Sequence, residues 1–133
     1  MRVGIIGSGE VAQSLGAGFL KHGHQVALGS RSPAKLADWA KQHPSAQTGS
    51  FTDVARFGDV VVLAVKGEAA ADALRAAGAQ NLAGKVVIDA TNPSTEDEPV
   101  NGVLKFFTSL DDSLWCIPGF LRDDWRHAFK LLK

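Results

Sequence analysis

The sequence predicts an α/β chain in which a doubly wound parallel sheet carries helices on both faces. Two observations point there. Short apolar runs alternate with helical patterns, and the runs are nearly continuous instead of alternating polar with apolar, as strands buried on both faces require. A β-α-β-α-β series of this kind, closed by right-handed crossovers, gives the strand order 3-2-1-4-5.

The elements follow in order. "RVGIIG" (Arg2 to Gly7) is the first strand. Beyond its glycine turn, Val11, Leu15, Phe19 and Leu20 recur at helical spacing, and His22-Gly23 ends that helix, glycine taking the left-handed cap. "QVALGS" is the second strand. Ser32-Pro33 opens the second helix, with serine as N-cap and proline in the first turn; it carries Leu36, Trp39 and Ala40 and stops before Pro44. "AQTGSF" is a weaker third strand, and "TDVARFG" a short helix or turn with Thr52 or Asp53 as its cap. "DVVVLAV" (Asp59 to Val65) is the clearest strand, "EAAADALRAAG" is helical, and "KVVIDAT" (Lys85 to Thr91) is the fifth strand.

The bulk properties narrow the classes of function. A length of 133 residues suits a single domain spanning 1–133 with a sizeable core. Fourteen basic and fourteen acidic side chains balance, so no global field favours nucleic acid or a membrane surface. Cys116 is the one cysteine, which leaves no internal disulfide and no cysteine-built metal site, and fits a reducing cytoplasm. "MRVGIIG" enters a strand pattern directly, without a signal-peptide profile, so the expected location is cytoplasmic. His22, His24, His43 and His127 are scattered and read as surface histidines, so no metal site is expected.

Gly7-Ser8-Gly9-Glu10-Val11-Ala12 fits G-x-G-x-x-A. The motif follows a strand, opens a helix and lies inside a βαβ unit, the context of a Rossmann-like dinucleotide site. Gly7 permits the tight turn and Gly9 lets the backbone approach a pyrophosphate. Ala12 stands where helix packs on strand. The amides from about Ser8 to Val11 then face a bound phosphate from the positive end of the helix.

An NAD site wants an acid at the end of the second strand, to accept bonds from the ribose hydroxyls. Here the chain reads Gly29-Ser30-Arg31, with Lys35 one turn further on. A hydroxyl, a planar guanidinium and an ammonium suit a 2′-phosphate, so the expected ligand is NADP(H). The alternative for Arg31 and Lys35 is two solvated surface charges. Two more loops leave carboxyl ends of neighbouring strands: Ala64-Val65-Lys66 after the fourth, and Ala90-Thr91-Asn92-Pro93 after the fifth. Lys66 is either a phosphate or substrate contact or a solvated lysine. Asn92 either bonds the nicotinamide ribose or carboxamide, or caps its own turn.

On these residues the chain resembles the NADP-binding domain of the coenzyme F420 (deazaflavin)-dependent NADP oxidoreductase family. The matching pieces are "VGIIGSGEVAQSLGAGFLKHGHQVALGSR", "DVVVLAVKG", "VVIDATNP" and "NGVLKFFTSLDDSL", covering roughly residues 1 to 114. The resemblance implies that Ser30, Arg31 and Lys35 form the 2′-phosphate site. It also implies hydride exchange between NADP(H) and a flavin or deazaflavin, with no catalytic side chain. The match breaks near Leu114 to Cys116, where "TSLDDSL" runs into "WCIPGFLRDDWRHAFKLLK". The chain thus reads as a family member lacking an internal segment: a natural short paralogue, a gene with a deletion, or an engineered piece. Without a sixth strand, the fifth is expected to be an open edge. A carboxyl-terminal helix bearing Trp115, Ile117, Phe120, Leu121, Trp125, Phe129 and Leu132 either covers that edge or pairs two copies as a homodimer. A different class of function is a non-catalytic NADP-binding sensor or regulatory module that keeps only the cofactor half. A β-hydroxyacid dehydrogenase or imine reductase ranks last, since the chain has no room for the large helical domain of those enzymes.

Overall fold

A computed structural model describes residues 1–92 together with Asn101, Lys105 and Phe106. Five strands form one parallel sheet in the order β3-β2-β1-β4-β5: β1 Arg2–Ile6, β2 Gln25–Gly29, β3 Gln47–Gly49, β4 Val60–Leu63 and β5 Val86–Asp89. The helices are α1 Glu10–Lys21, α2 Ala37–Gln42, α3 Phe51–Phe57, α4 Ala70–Ala77 and α5 Ala79–Leu82, with 3₁₀ turns at Pro33–Leu36 and Gly67–Ala69. This is the doubly wound, Rossmann-like arrangement that the alternating pattern predicts. The carboxyl-terminal helix expected beyond Trp115 lies outside the described residues.

Successive side chains of a strand point to opposite faces, so each continuous apolar run feeds two cores. On one face, Ile6, Ala27, Val61, Leu63 and Val87 pack beneath α3, α4 and α5. On the other, Val3, Ile5, Val26, Leu28 and Val62 pack beneath α1 and α2, against Ala12 and Trp39. Gly4 sets the depth of the first core: a Cβ there would collide with the carbonyl oxygen of Val54, so α3 lies directly on β1. At β5 the two faces differ. Val87 is buried, but Val86 is 58% exposed and Ile88 43%.

Several boundaries differ from the sequence expectation, among them β3, which ends at Gly49, and β5, which runs only from Val86 to Asp89. The segment after Ser32 begins as a 3₁₀ turn, the Lys35 amide donating to the Ser32 carbonyl at 3.0 Å, and the Ser32 side chain caps nothing. α3 is capped by Ser50, not by Thr52 or Asp53. Ser50 Oγ accepts from the Asp53 amide at 3.1 Å while Asp53 Oδ2 accepts from the Ser50 amide at 2.9 Å, a reciprocal capping box. β4 stops at Leu63, before Ala64 and Val65. Gly78, at φ +85°, closes α4 and starts the short α5, which the sequence pattern did not separate out. The end of α1 matches expectation: His24 and Gly23 amides return to the Phe19 and Leu20 carbonyls around a left-handed Gly23, a Schellman closure.

The amino-terminal end of the sheet is tied by charge. Arg2 Nη2 lies 2.6 Å from Asp59 Oδ1, and the Arg2 amide donates to Oδ2 at 3.1 Å. The Arg2 hydrogen bonds hold the Asp59 carboxyl down at about 2, from its ordinary 3.8. A depressed folded-state pKa contributes stability above the unfolded value that is lost as pH falls through the folded one. The stability difference between the unaltered chain and Asp59→Asn should therefore be constant above about pH 5 and shrink as pH falls from there through about 2. Urea midpoints measured across that range check it. Gly4→Ala should cost about 3 kcal/mol in the same assay, the upper end of ordinary overpacking, because backbone must move.

Candidate functional site

The carboxyl ends of β1, β2 and β4 converge on the glycine turn. Gly7 has φ +148°, in the region that favours glycine, and a Cβ there would collide with the Ala64 carbonyl oxygen. Its amide donates to the Gly29 carbonyl at 3.1 Å, while the Ala64 amide donates to Ile6 at 2.9 Å. The turn is thus fastened to both neighbouring strands. Gly9 is the N-cap of α1 and offers no side-chain cap; the first intrahelical bond runs from Gln13 to the Gly9 carbonyl at 3.0 Å. The amides of Glu10, Val11 and Ala12 precede it, and a twelve-residue helix stands behind them.

A cleft of about 810 Å³ opens beside this turn. Gly7, Ser8 and Gly9 form one wall, Ser30, Arg31 and Lys35 another, and Ala64, Val65 and Lys66 a third. An adjoining cleft of about 350 Å³ shares Gly9, Ala64, Val65 and Lys66 and adds Glu10, Val11, Ala90 and Asn92. Thirteen of the fifteen expected residues therefore border one continuous hollow. Thr91 borders neither cleft; its amide donates to Asp89 Oδ1 at 2.9 Å. Pro93 lies outside the described residues.

The side chains differ in what they can offer. Arg31 and Lys35 are exposed at the cleft wall. Ser30 is only 4% exposed, and its Oγ is hydrogen-bonded to Ser8 Oγ at 3.2 Å and accepts from the Ser32 amide at 3.1 Å. Val11 does not pack beneath α1 as its spacing suggested: it is 55% exposed at the mouth of the smaller cleft. Ala12 and Gly16 form the buried face instead.

The sequence profile of a family described as NADP oxidoreductase, coenzyme F420-dependent, matches residues 2–93. The chain belongs to this family. A candidate F420-dependent NADP-reductase from Arthrobacter sp. FB24 shares 30% identity at a TM-score of 0.75, over 85% of this chain and 54% of that one. This chain thus spans about half that protein's length. A Streptomyces aurantiacus imine reductase matches at 21% identity and TM-score 0.61, over 71% of this chain and 33% of that one. Plasmodium falciparum pyrroline carboxylate reductase, solved with NADP bound, matches at 19% and 0.56, over 77% and 36%. The last two likenesses speak for the fold alone. No curated protein matches the chain.

In this member of the NADP oxidoreductase family, several cleft residues come from elements that no motif marks. Phe51 arrives from the start of α3, and Glu68, Asp72 and Ala73 from the segment after Lys66. Asp72 is paired with Arg75 at 2.7 Å. Two of the histidines make ring contacts: His24 meets Phe19 at 5.9 Å between ring centroids, and His43 stacks on Trp39 at 4.4 Å, while His22 is exposed and His127 lies outside the described residues. Among the described residues no three His, Cys, Asp or Glu side chains group as metal ligands, and no helix is long and apolar enough to cross a membrane.

Two glycines should separate folding from ligand contact. Gly7→Ala should lower the melting temperature, since both its φ and the Ala64 carbonyl oppose a side chain. Gly9→Ala should change stability by no more than about 0.5 kcal/mol, because a Cβ there meets nothing within 4 Å. Thermal melts of the two variants side by side give the answer.

Proposed function

We propose that this chain binds NADP(H) in the paired clefts and presents the nicotinamide to a flavin or deazaflavin that exchanges hydride with it. The observation that carries the reading is the placement of Arg31 and Lys35 on the cleft wall beside the glycine turn, where an NAD site would hold an acid. Membership of an NADP oxidoreductase family supports it.

The residues present fit such a dinucleotide. The α1 amides and the Gly9 backbone suit the pyrophosphate, having donors and no intruding Cβ. Arg31 and Lys35 supply charge and directed donors for the 2′-phosphate. Val65, Ala90 and Asn92 border the smaller cleft, toward the end of the sheet where the nicotinamide half would extend. When bound, the nicotinamide supplies the hydride chemistry. This chain's part is to bind, orient and screen, and no side chain is assigned an acid or base role.

The same clefts also suit a second reading, a non-catalytic NADP-binding sensor or regulatory module, since no side chain lining them is assigned an acid or base role. Tight NADPH binding without transfer to any flavin or deazaflavin would favour that module.

Calorimetric titration tests the cofactor half. Charge-assisted bonds to a phosphate contribute about 1.5–3 kcal/mol each, so NADP should bind about ten- to a hundredfold tighter than NAD. Arg31→Ala should remove much of that gap. Gly9→Ala should weaken both nucleotides alike while leaving the fold intact. Equal affinity of the unaltered chain for NAD and NADP would remove the 2′-phosphate assignment.

A further inference from the structure

The charged side chains around the paired clefts are unevenly divided. Lys66 and Glu68 border both clefts. Arg31, Lys35 and Asp72 border only the larger one, and Asp72 is paired with Arg75. Glu10 borders only the smaller one. With the shared pair set aside, the hollow is positive at the Arg31 and Lys35 end and negative at the Glu10 end. Glu10 opens α1 and is exposed, and its carboxylate forms no hydrogen bond or ion pair among the described residues. Apolar Val11, Val65 and Ala90 border the same small cleft. A charge beside such walls acts on its neighbours more strongly than in open water.

A 2′-phosphate held by Arg31 and Lys35 puts the adenosine half in the larger cleft and leaves the smaller one for the nicotinamide. The oxidised nicotinamide ring carries one positive charge and the reduced ring none, while the rest of the dinucleotide is the same in both. We propose that Glu10 is a specificity-determining residue, whose carboxylate shifts the preference of the site from NADPH toward NADP⁺. The inference rests on the NADP(H) reading above and deepens it, from which dinucleotide binds to which redox state. Linkage gives the preference a direction. A form that is held more tightly is favoured among bound molecules by the same factor. Glu10 thereby weights the exchange toward the flavin or deazaflavin, which gains as hydride the proton and two electrons that NADPH loses. A first-turn acid also stabilises its helix through the dipole. That role alters folding stability and leaves discrimination between redox states untouched.

The test is calorimetric titration of the full chain with NADP⁺ and with NADPH at low ionic strength, repeated for Glu10→Gln and Glu10→Asp. The quantity read is the ratio of the two affinities. Repulsion between Glu10 and the pyrophosphate cancels in that ratio, because both forms carry the pyrophosphate. Glu10→Gln should shift the ratio about threefold toward NADPH, the size expected for unit charges about 7 Å apart in largely aqueous surroundings. Glu10→Asp keeps the charge and should retain most of the preference. Salt at about 0.5 M should shrink the preference in the unaltered chain. Glu10 is exposed, so both variants are expected to keep the fold, which circular dichroism checks. A ratio that Glu10→Gln leaves unchanged, or that Glu10→Asp shifts as far, overturns the proposal. So does a change of both affinities by one factor, which would assign the carboxylate to the pyrophosphate instead. If the unaltered chain binds neither nucleotide, the NADP(H) reading itself falls; binding of both with an unresponsive ratio removes this inference alone.

Discussion

The backbone beyond β1 can pass the backbone beyond β4 only because residue 7 has no side chain. That close approach of Gly7 to the Ala64 carbonyl governs the rest of the site. With Gly7 hydrogen-bonded to Gly29 on its other side, the carboxyl ends of three adjacent strands are locked together. α1 then starts at a fixed place and angle, with its uncapped amides facing the hollow. Gly9, Ala64, Val65 and Lys66 consequently form the waist between the two clefts. A site built this way needs little movement to receive an extended ligand, which limits the ordering cost of binding.

The layer beneath supplies the rigidity. α3 lies on β1 through the missing Cβ of Gly4, starts from a closed capping box, and ends under Lys85. Lys85 Nζ donates to the Ala55 and Arg56 carbonyls at 2.6 and 3.3 Å, satisfying groups that the end of a helix leaves open. Partial burial lowers the Lys85 pKa from its ordinary value. The entry to β5 is thereby tied to the far end of a helix that also presents Phe51 to the cleft.

How legible the molecule was in its sequence depended on the range of the signal. Strands 1, 2 and 4 announce themselves, because a run buried on both faces has no polar alternation to confuse it, and strand 5 shows the same unbroken apolar run although Val86 and Ile88 are exposed. The glycine turn is readable because it is contiguous and set by its own backbone geometry, and Ser30, Arg31 and Lys35 because they are close in sequence and line one cleft. Ser50 is hidden as a cap because "AQTGSF" has a strand pattern through Phe51, whereas β3 ends at Gly49. The helix expected from Ser32-Pro33 begins as 3₁₀, since the Ser32 amide turns back to Ser30 instead. α5 covers four residues, too few to show a period. Val11 has apolar character and helical spacing, yet first-turn residues at a cleft mouth need not face the core. Phe51, Glu68 and Asp72 carry no local mark at all; only the folding of distant segments brings them to the hollow.

Two tethers sit at opposite ends of the same sheet. The Arg2–Asp59 pair closes the amino-terminal end of β1, and the hydrogen bond between the Ser30 and Ser8 hydroxyls closes the carboxyl-terminal end. A five-residue strand separates them by roughly 16 Å, beyond the range over which substitutions without shared partners usually couple. Robustness to acid and the packing of the glycine turn are therefore independent dials on this scaffold. A designer could harden the first without retuning the second.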